Sequence, residues 1–417
     1  MGISLLWIVV TVGARYSERT WLGPASLLSL IFSSSYIGTV IFAPEYRMPA
    51  PPNIFLALIV SVMIPGSLLG QGLARAASFK KARLVDLNFD IRLLFVFGMA
   101  CSLLGFVVLL VTLGISPITL FDPRTFMRLA QTITFNRYTS GLNLPLSYNI
   151  LNAGFLAYMI VLGFHLGVKK STRFRMFIPF IIFALGNILI TTRAPILFCG
   201  LIFSFSYVYG IHVSSGIYQK LFTRRSIVIG SLAATAVALL FFSVQVMRFG
   251  EQSHRSAGDV WAHLRRWPWG SLPGFSHWYQ YIQYASVDQP FGYFTFTGVL
   301  DNLGIAQRVK GAYSEYIMLA PGEPGNIFTA FRGLITDFGP YGTGVFIFIL
   351  AVLGAYALEA GRKGSIALLP VYVGVMCFVG WSFVYSFFAY TSHLLALMGA
   401  PLLIYAVTVR GVSSTSG

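Results

Sequence analysis

Apolar residues in this chain come in long runs rather than in stripes. Runs of about twenty, the length that crosses a bilayer as a helix, occupy Trp21–Ala43, Asn53–Ala74, Leu93–Gly114, Tyr148–Val168 and Met176–Thr192. They recur at Ala194–Val213, Ile227–Val246, Tyr341–Ala360, Ile366–Tyr385 and Ser392–Val409. With the shorter run Gly2–Ala14 they predict an all-α polytopic membrane protein of about eleven transmembrane helices. Phe328–Ile335 is too short, and too polar at Arg332, to be another span. The chain then divides into N-terminal spans over 1–246, a large polar connection over 247–340 and C-terminal spans over 341–417.

Two connections carry structure of their own. In the medium one, 115–147, Asp122 followed by Pro123 is a helix start, with a side-chain acceptor at the N-cap and a fixed φ at the first helical position. That helix puts Arg124 and Arg128 one turn apart on a single face, a solvated face or a grip for an anionic headgroup. In the large one, Val260, Trp261, Leu264 and Trp267 fall at helical spacing beside Asp259, His263, Arg265 and Arg266. A second stripe, Phe275, Trp278 and Ile282, follows the Pro- and Gly-rich break Trp267–Gly274. Both read as short amphipathic helices lying in a membrane interface. Their Trp and Tyr residues suit an interfacial belt or a stacking platform for sugar rings.

Composition agrees with the runs: mean hydropathy is +0.74, 56% of residues are hydrophobic and 10% are charged, against roughly a quarter charged in a soluble domain. Cys101, Cys199 and Cys377 sit inside apolar runs without ligand spacing and read as small packing residues. The net charge of +16 first suggests nucleic acid, but alternating spans sort it by side. One side collects seventeen Lys and Arg against four acidic residues, the other twelve against nine. Positive-inside asymmetry makes the first side cytoplasmic and removes nucleic acid as a partner. The basic residues of the other side are eleven Arg and one Lys. Arg offers a planar fork that grips phosphate in bidentate fashion, although it also anchors helices at headgroups by snorkelling.

Three stretches resemble the oligosaccharide repeat-unit polymerase (O-antigen polymerase, Wzy-type) family of bacterial inner-membrane glycosyltransferases. They are Thr191–Pro195 (TTRAP) in a tight turn between spans, Gly270–Phe275 (GSLPGF) with Pro290–Thr297 (PFGYFTFT), and Asn326–Arg332 (NIFTAFR) with Asp337–Gly339 (DFG). The short first run departs from the family's profile and leaves open whether the initial helix is complete. The resemblance implies a site on the periplasmic side of the inner membrane. Its substrates would be undecaprenyl-pyrophosphate-linked oligosaccharides, with a growing glycan passed to the non-reducing end of a new lipid-linked repeat unit. A chain-length-regulating co-polymerase would be a partner beside the membrane lipids. No Asp-x-Asp pair or His/Asp cluster lies on that side, so metal assistance is not indicated and no cofactor is expected. Arg side chains would neutralise the departing pyrophosphate.

On that reading Arg193 and Arg332 are the first candidates for pyrophosphate contacts, then Arg248, with Arg124 and Arg128 as a further pair. Glu315, Asp337 and His254 are the candidates to activate the acceptor hydroxyl. Asp337 has a competing structural role, capping the helix that follows or pairing with Arg332, and Glu315 has that of a solvated acid. Asn326 and Thr329 are expected to order the start of the final helices. The rival readings are an O-antigen ligase, which would also need such arginines, and a lipid-linked oligosaccharide flippase. A transporter usually carries ionisable residues inside its spans, and here no acidic or basic residue lies mid-span, with His165 and His393 near span ends.

Overall fold

A computed structural model describes residues 2–79, 89–139, 144–169, 174–215, 235, 239–240, 242–246, 257–282, 291–307, 313 and 315–413. Its helices are α1 (Gly2–Glu18), α2 (Pro24–Phe42), α3 (Ala50–Ser61), α4 (Met63–Ala76), α5 (Ile91–Leu113), α6 (Pro123–Thr139), α7 (Leu146–Lys169), α8 (Ile178–Leu189) and α9 (Ala194–Ser215). There follow α10 (Ala257–Trp269), α11 (Ser271–His277), α12 (Tyr293–Asn302), the hairpin β1 (Ile317–Ala320) and β2 (Glu323–Gly325), α13 (Ala330–Arg362), α14 (Leu369–Trp381) and α15 (Thr391–Ser413). Among the described residues seven helices are long and apolar enough to cross a membrane: α2, α3 with α4, α5, α7, α9, α13 and the Thr391–Thr408 part of α15. Two of the expected spans are shorter apolar helices, Phe174–Leu189 and Leu369–Trp381. Twelve of the twenty residues of the expected span Ile227–Val246 lie outside the described residues.

By packing, the chain forms two compact units, Met1–Lys80 with Arg265–His393 and Lys81–Leu264 with Leu394–Gly417. In the first, Trp7 of α1 stacks on Phe32 of α2 at 6.0 Å. No side chain caps α2 locally, because Gly23 holds its N-cap. The buried Glu18 carboxylate does so instead, accepting from Ala25 N at 3.0 Å and Ser26 N at 2.7 Å. The run Asn53–Ala74 bends at Val62, since Pro65 has no amide for the Ser61 carbonyl. Beyond the bend α4 lies directly against α13: a Cβ at Gly70 would meet the Val352 carbonyl at 2.3 Å, and one at Gly66 the Phe348 carbonyl at 2.7 Å.

Helix α13 is two helices in sequence. Gly339 takes φ 69° and ψ 175°, a conformation open to glycine alone. Pro340 then starts a fresh helix, for which the Thr343 hydroxyl donates to the Gly339 carbonyl at 2.8 Å. The segment Ala330–Phe338 is thus a short buried helix, separate from the apolar run after it.

In the second unit α7 and α9 pack through glycines. A Cβ at Gly167 would sit 2.2 Å from the Tyr207 carbonyl, and one at Gly210 2.4 Å from that of Phe164. The helix expected after Asp122 is present as α6, and Asp122 accepts from Arg124 N at 3.2 Å and Thr125 N at 3.3 Å. Ile133 of α6 joins Leu109, Leu110, Tyr148, Leu189 and Ile190 in a small buried cluster. All three cysteines are buried and free.

One expectation is corrected by the packing. The second aromatic stripe was expected on an interfacial helix, yet residues Ser271–Ser276 of α11 are all buried. Gly274 meets the Ile327 carbonyl, and the Ser276 hydroxyl is satisfied by Leu272 O at 2.9 Å and Asn53 Nδ2 at 3.1 Å. An interior helix needs such internal partners and an interfacial one does not. The chain is predominantly helical, as expected, with one short hairpin added where β1 and β2 pair antiparallel around the Pro321–Gly322 turn, at which Gly322 takes φ 75°.

Candidate functional site

The short helix Ala330–Phe338 starts where the Ala330 amide donates to the Ser382 carbonyl at 2.7 Å. Thr329 stands at its N-cap position in extended backbone, as expected, but contributes no side-chain capping bond. Within its first turn, Arg332 is 2% exposed. Its guanidinium carbon lies 3.9 Å from the Tyr313 ring centre, 4.0 Å from Phe328 and 5.6 Å from Trp278. Aromatic faces stabilise a cation by about 0.5–2 kcal/mol each, but they accept no N–H bond in its plane. Nη2 donates to Glu315 Oε2 at 2.6 Å, while Nε and Nη1 are buried and have no hydrogen-bond partner among the described residues. Glu315 itself is 40% exposed. Its partial burial would raise the carboxyl pKa, but the Arg332 hydrogen bond and charge outweigh that and hold it below the usual range. Burial keeps the Tyr313 phenol neutral, well above its ordinary value. Arg332 is thus a desolvated cation with spare donors, in reach of one half-exposed carboxylate.

Asp337 does not meet Arg332 and does not cap the helix that follows it. Its Oδ1 accepts from Phe294 N at 3.0 Å, and Oδ2 from Thr295 N at 2.7 Å and the Thr295 hydroxyl at 2.6 Å. It caps α12, whose N-cap Gly292 has no side chain to do so. The expected structural role exists, applied to a helix earlier in the chain. The tie carries α12 to the site, where Phe294 stacks on Tyr313 at 5.4 Å.

A second polar cluster fastens the hairpin. Arg265 Nη1 meets Glu45 Oε1 at 2.6 Å and its Nη2 bonds Glu323. The Tyr46 hydroxyl donates to Glu323 Oε2 at 2.7 Å, and Arg266 Nη1 to the Pro324 carbonyl at 3.1 Å. Burial alone would raise the Glu323 pKa, but hydrogen bonds from Tyr46 and Arg265 with both arginine charges lower it. Beneath, Leu319 of β1 fills the space left by Gly270 and Gly325. The Trp269 ring lies on Gly38, and the Thr39 hydroxyl donates to the Trp269 carbonyl at 3.0 Å. Next to Trp278, Tyr279 borders an apolar groove of about 700 Å³ lined also by Phe55, Leu58, Ile59, Val62 and Val345.

The remaining candidates fall in the second unit. Arg193 is 3% exposed and sits in the turn between α8 and α9. Thr191 there takes φ 51°, its hydroxyl 2.7 Å from that of Thr134 on α6. Thr192 Oγ1 donates to Asn187 Oδ1 at 2.8 Å. Arg124 and Arg128 are exposed on α6. Arg248 and His254 lie outside the described residues.

Of the candidates, the structure brings Arg332 and Glu315 into contact. Sequence reasoning missed the aromatic box and the hairpin clamp around them. The one local signal for the hairpin was Pro321–Gly322 after the apolar run Ile317–Ala320. No family model matches the sequence, and comparison with curated proteins and with solved structures gave no match either.

Proposed function

We propose that the chain is a bacterial inner-membrane glycosyltransferase that polymerises undecaprenyl-pyrophosphate-linked oligosaccharide repeat units on the periplasmic side, for O-antigen or a related surface polysaccharide. The observation that carries this reading is Arg332: a buried guanidinium whose Nη2 arm ends on the half-exposed carboxylate of Glu315. A buried cation is costly unless an anion balances it, and a phosphate brings both the charge and acceptor oxygens for charge-assisted hydrogen bonds. In the reaction the acceptor hydroxyl oxygen bonds to the anomeric carbon of the growing glycan. The bond to pyrophosphate breaks, and the electron pair leaves on the phosphate oxygen, where Arg332 stabilises it. The apolar groove beside Tyr279 suits the polyprenyl tail of such a donor. Asp337 drops out as the acceptor's base, since its oxygens are committed to α12.

The test is Arg332→Lys and Arg193→Lys at verified protein levels. Arg332→Lys is expected to collapse the polymer length distribution, because an ammonium reproduces the charge but not the planar fork. An unchanged distribution in both variants removes the phosphate role. Deletion separates the ligase alternative: loss of a polymerase leaves single repeat units on the lipid core, and loss of a ligase leaves none.

A further inference from the structure

Glu315 and Arg332 are unequal partners. The arginine is 2% exposed and the carboxylate 40%. Nε and Nη1 are buried, with almost no surface of either atom reaching solvent. The ring faces of Tyr313 and Phe328 lie within 4.0 Å of the guanidinium carbon. Among the described residues the arm with a partner is Nη2, and the half-exposed Glu315 is on it. An anion arriving from outside therefore reaches the guanidinium only by taking the place of that carboxylate.

We propose that Glu315 is an internal stand-in for the donor's phosphate, held on Arg332 in the empty protein and released by the donor as the base for the acceptor hydroxyl. This rests on the reading of Arg332 as the pyrophosphate contact. The exchange leaves neither charge stranded: the Glu315 carboxylate, 40% exposed, regains water on leaving, and the buried Arg332 keeps an anionic partner throughout. A pyrophosphate offers more charge and more acceptor oxygens to the same arm. Once free, Glu315 takes the proton of the acceptor hydroxyl as that oxygen bonds to the anomeric carbon. The pyrophosphate leaves with the electron pair, and the proton passes from Glu315 to water. With the base masked until the donor is bound, the donor binds before the acceptor.

The experiment uses the full-length protein in detergent with inorganic pyrophosphate as probe, read by calorimetry and by thermal midpoint, for wild type, Glu315→Gln and Glu315→Asp. The exchange requires Glu315→Gln to bind pyrophosphate tighter than wild type, by about tenfold or more given the usual strength of a charged hydrogen bond, while turnover falls. Glu315→Asp, whose shorter arm holds Arg332 less well, is expected to lie between them, and it decides the matter if Glu315→Gln does not fold. Unchanged or weaker pyrophosphate binding in folded variants overturns the exchange, leaving Glu315 as a structural partner of Arg332. Absence of pyrophosphate binding in every protein, wild type included, overturns the underlying reading of Arg332 as well.

Discussion

Asp337→Ala separates structure from chemistry at the residue where the two were hardest to tell apart. The carboxylate accepts two backbone amides of α12, at 3.0 and 2.7 Å, and the Thr295 hydroxyl at 2.6 Å. Removing it orphans the first-turn donors of a helix whose N-cap is a glycine. A lost N-cap costs about 0.5–2 kcal/mol, and the buried donors left behind cost about 1–3 kcal/mol. These figures count partly the same bonds, so the expected loss is about 1–3 kcal/mol. Because α12 brings Phe294 onto Tyr313, loosening it also loosens the wall of the Arg332 box. The assay is thermal unfolding of purified protein, paired with polymer length in cells. A clear fall in midpoint with a proportionate fall in activity is the expected result. Wild-type stability with activity abolished would refute the capping argument and return Asp337 to the acceptor's base.

Three further outcomes follow from the packing. Gly339→Ala is expected to cost about 1–3 kcal/mol through its backbone alone, since an added Cβ meets nothing within 4 Å; a full midpoint scan detects it, and an unchanged midpoint contradicts the φ 69° break. Gly70→Leu is expected to leave little folded protein, its Cβ falling 2.3 Å from the Val352 carbonyl. Gly72→Ala on the same helix, with open space around it, is expected to be neutral or stabilising by up to about 1 kcal/mol. The hairpin clamp should respond to acid. The Glu323 carboxyl pKa is lowered by its partners in the folded protein, so its contribution is present above the ordinary carboxylate range and is lost as pH falls through the folded value. Limited proteolysis of 317–325 should therefore speed up in acid in the wild type, and Glu323→Gln should already cut quickly at neutral pH.

The parts of this architecture legible in the sequence are those set by local rules. The apolar runs give the long helices, Asp122 with Pro123 gives the start of α6, and Gly339 with Pro340 marks the break before the apolar part of α13. The site itself is built from long-range pairings that no local period encodes. Glu315 reaches Arg332 across the hairpin, and Asp337 reaches back 42 residues to Thr295. The aromatic residues of the loop read as an interfacial belt because their spacing is helical. Whether such a stripe faces a membrane or an interior depends on partners such as Asn53 and Gly38, which lie more than 200 positions away. Periodicity marks which residues share a face and leaves open what covers it.

The most direct measurement gives the purified, reconstituted protein a single defined undecaprenyl-pyrophosphate-linked repeat unit, with no nucleotide sugar and with a chelator present. A ladder of products, each longer by one repeat, is expected, with undecaprenyl pyrophosphate released at every step. Folded protein that leaves the substrate as single repeats under these conditions would contradict it.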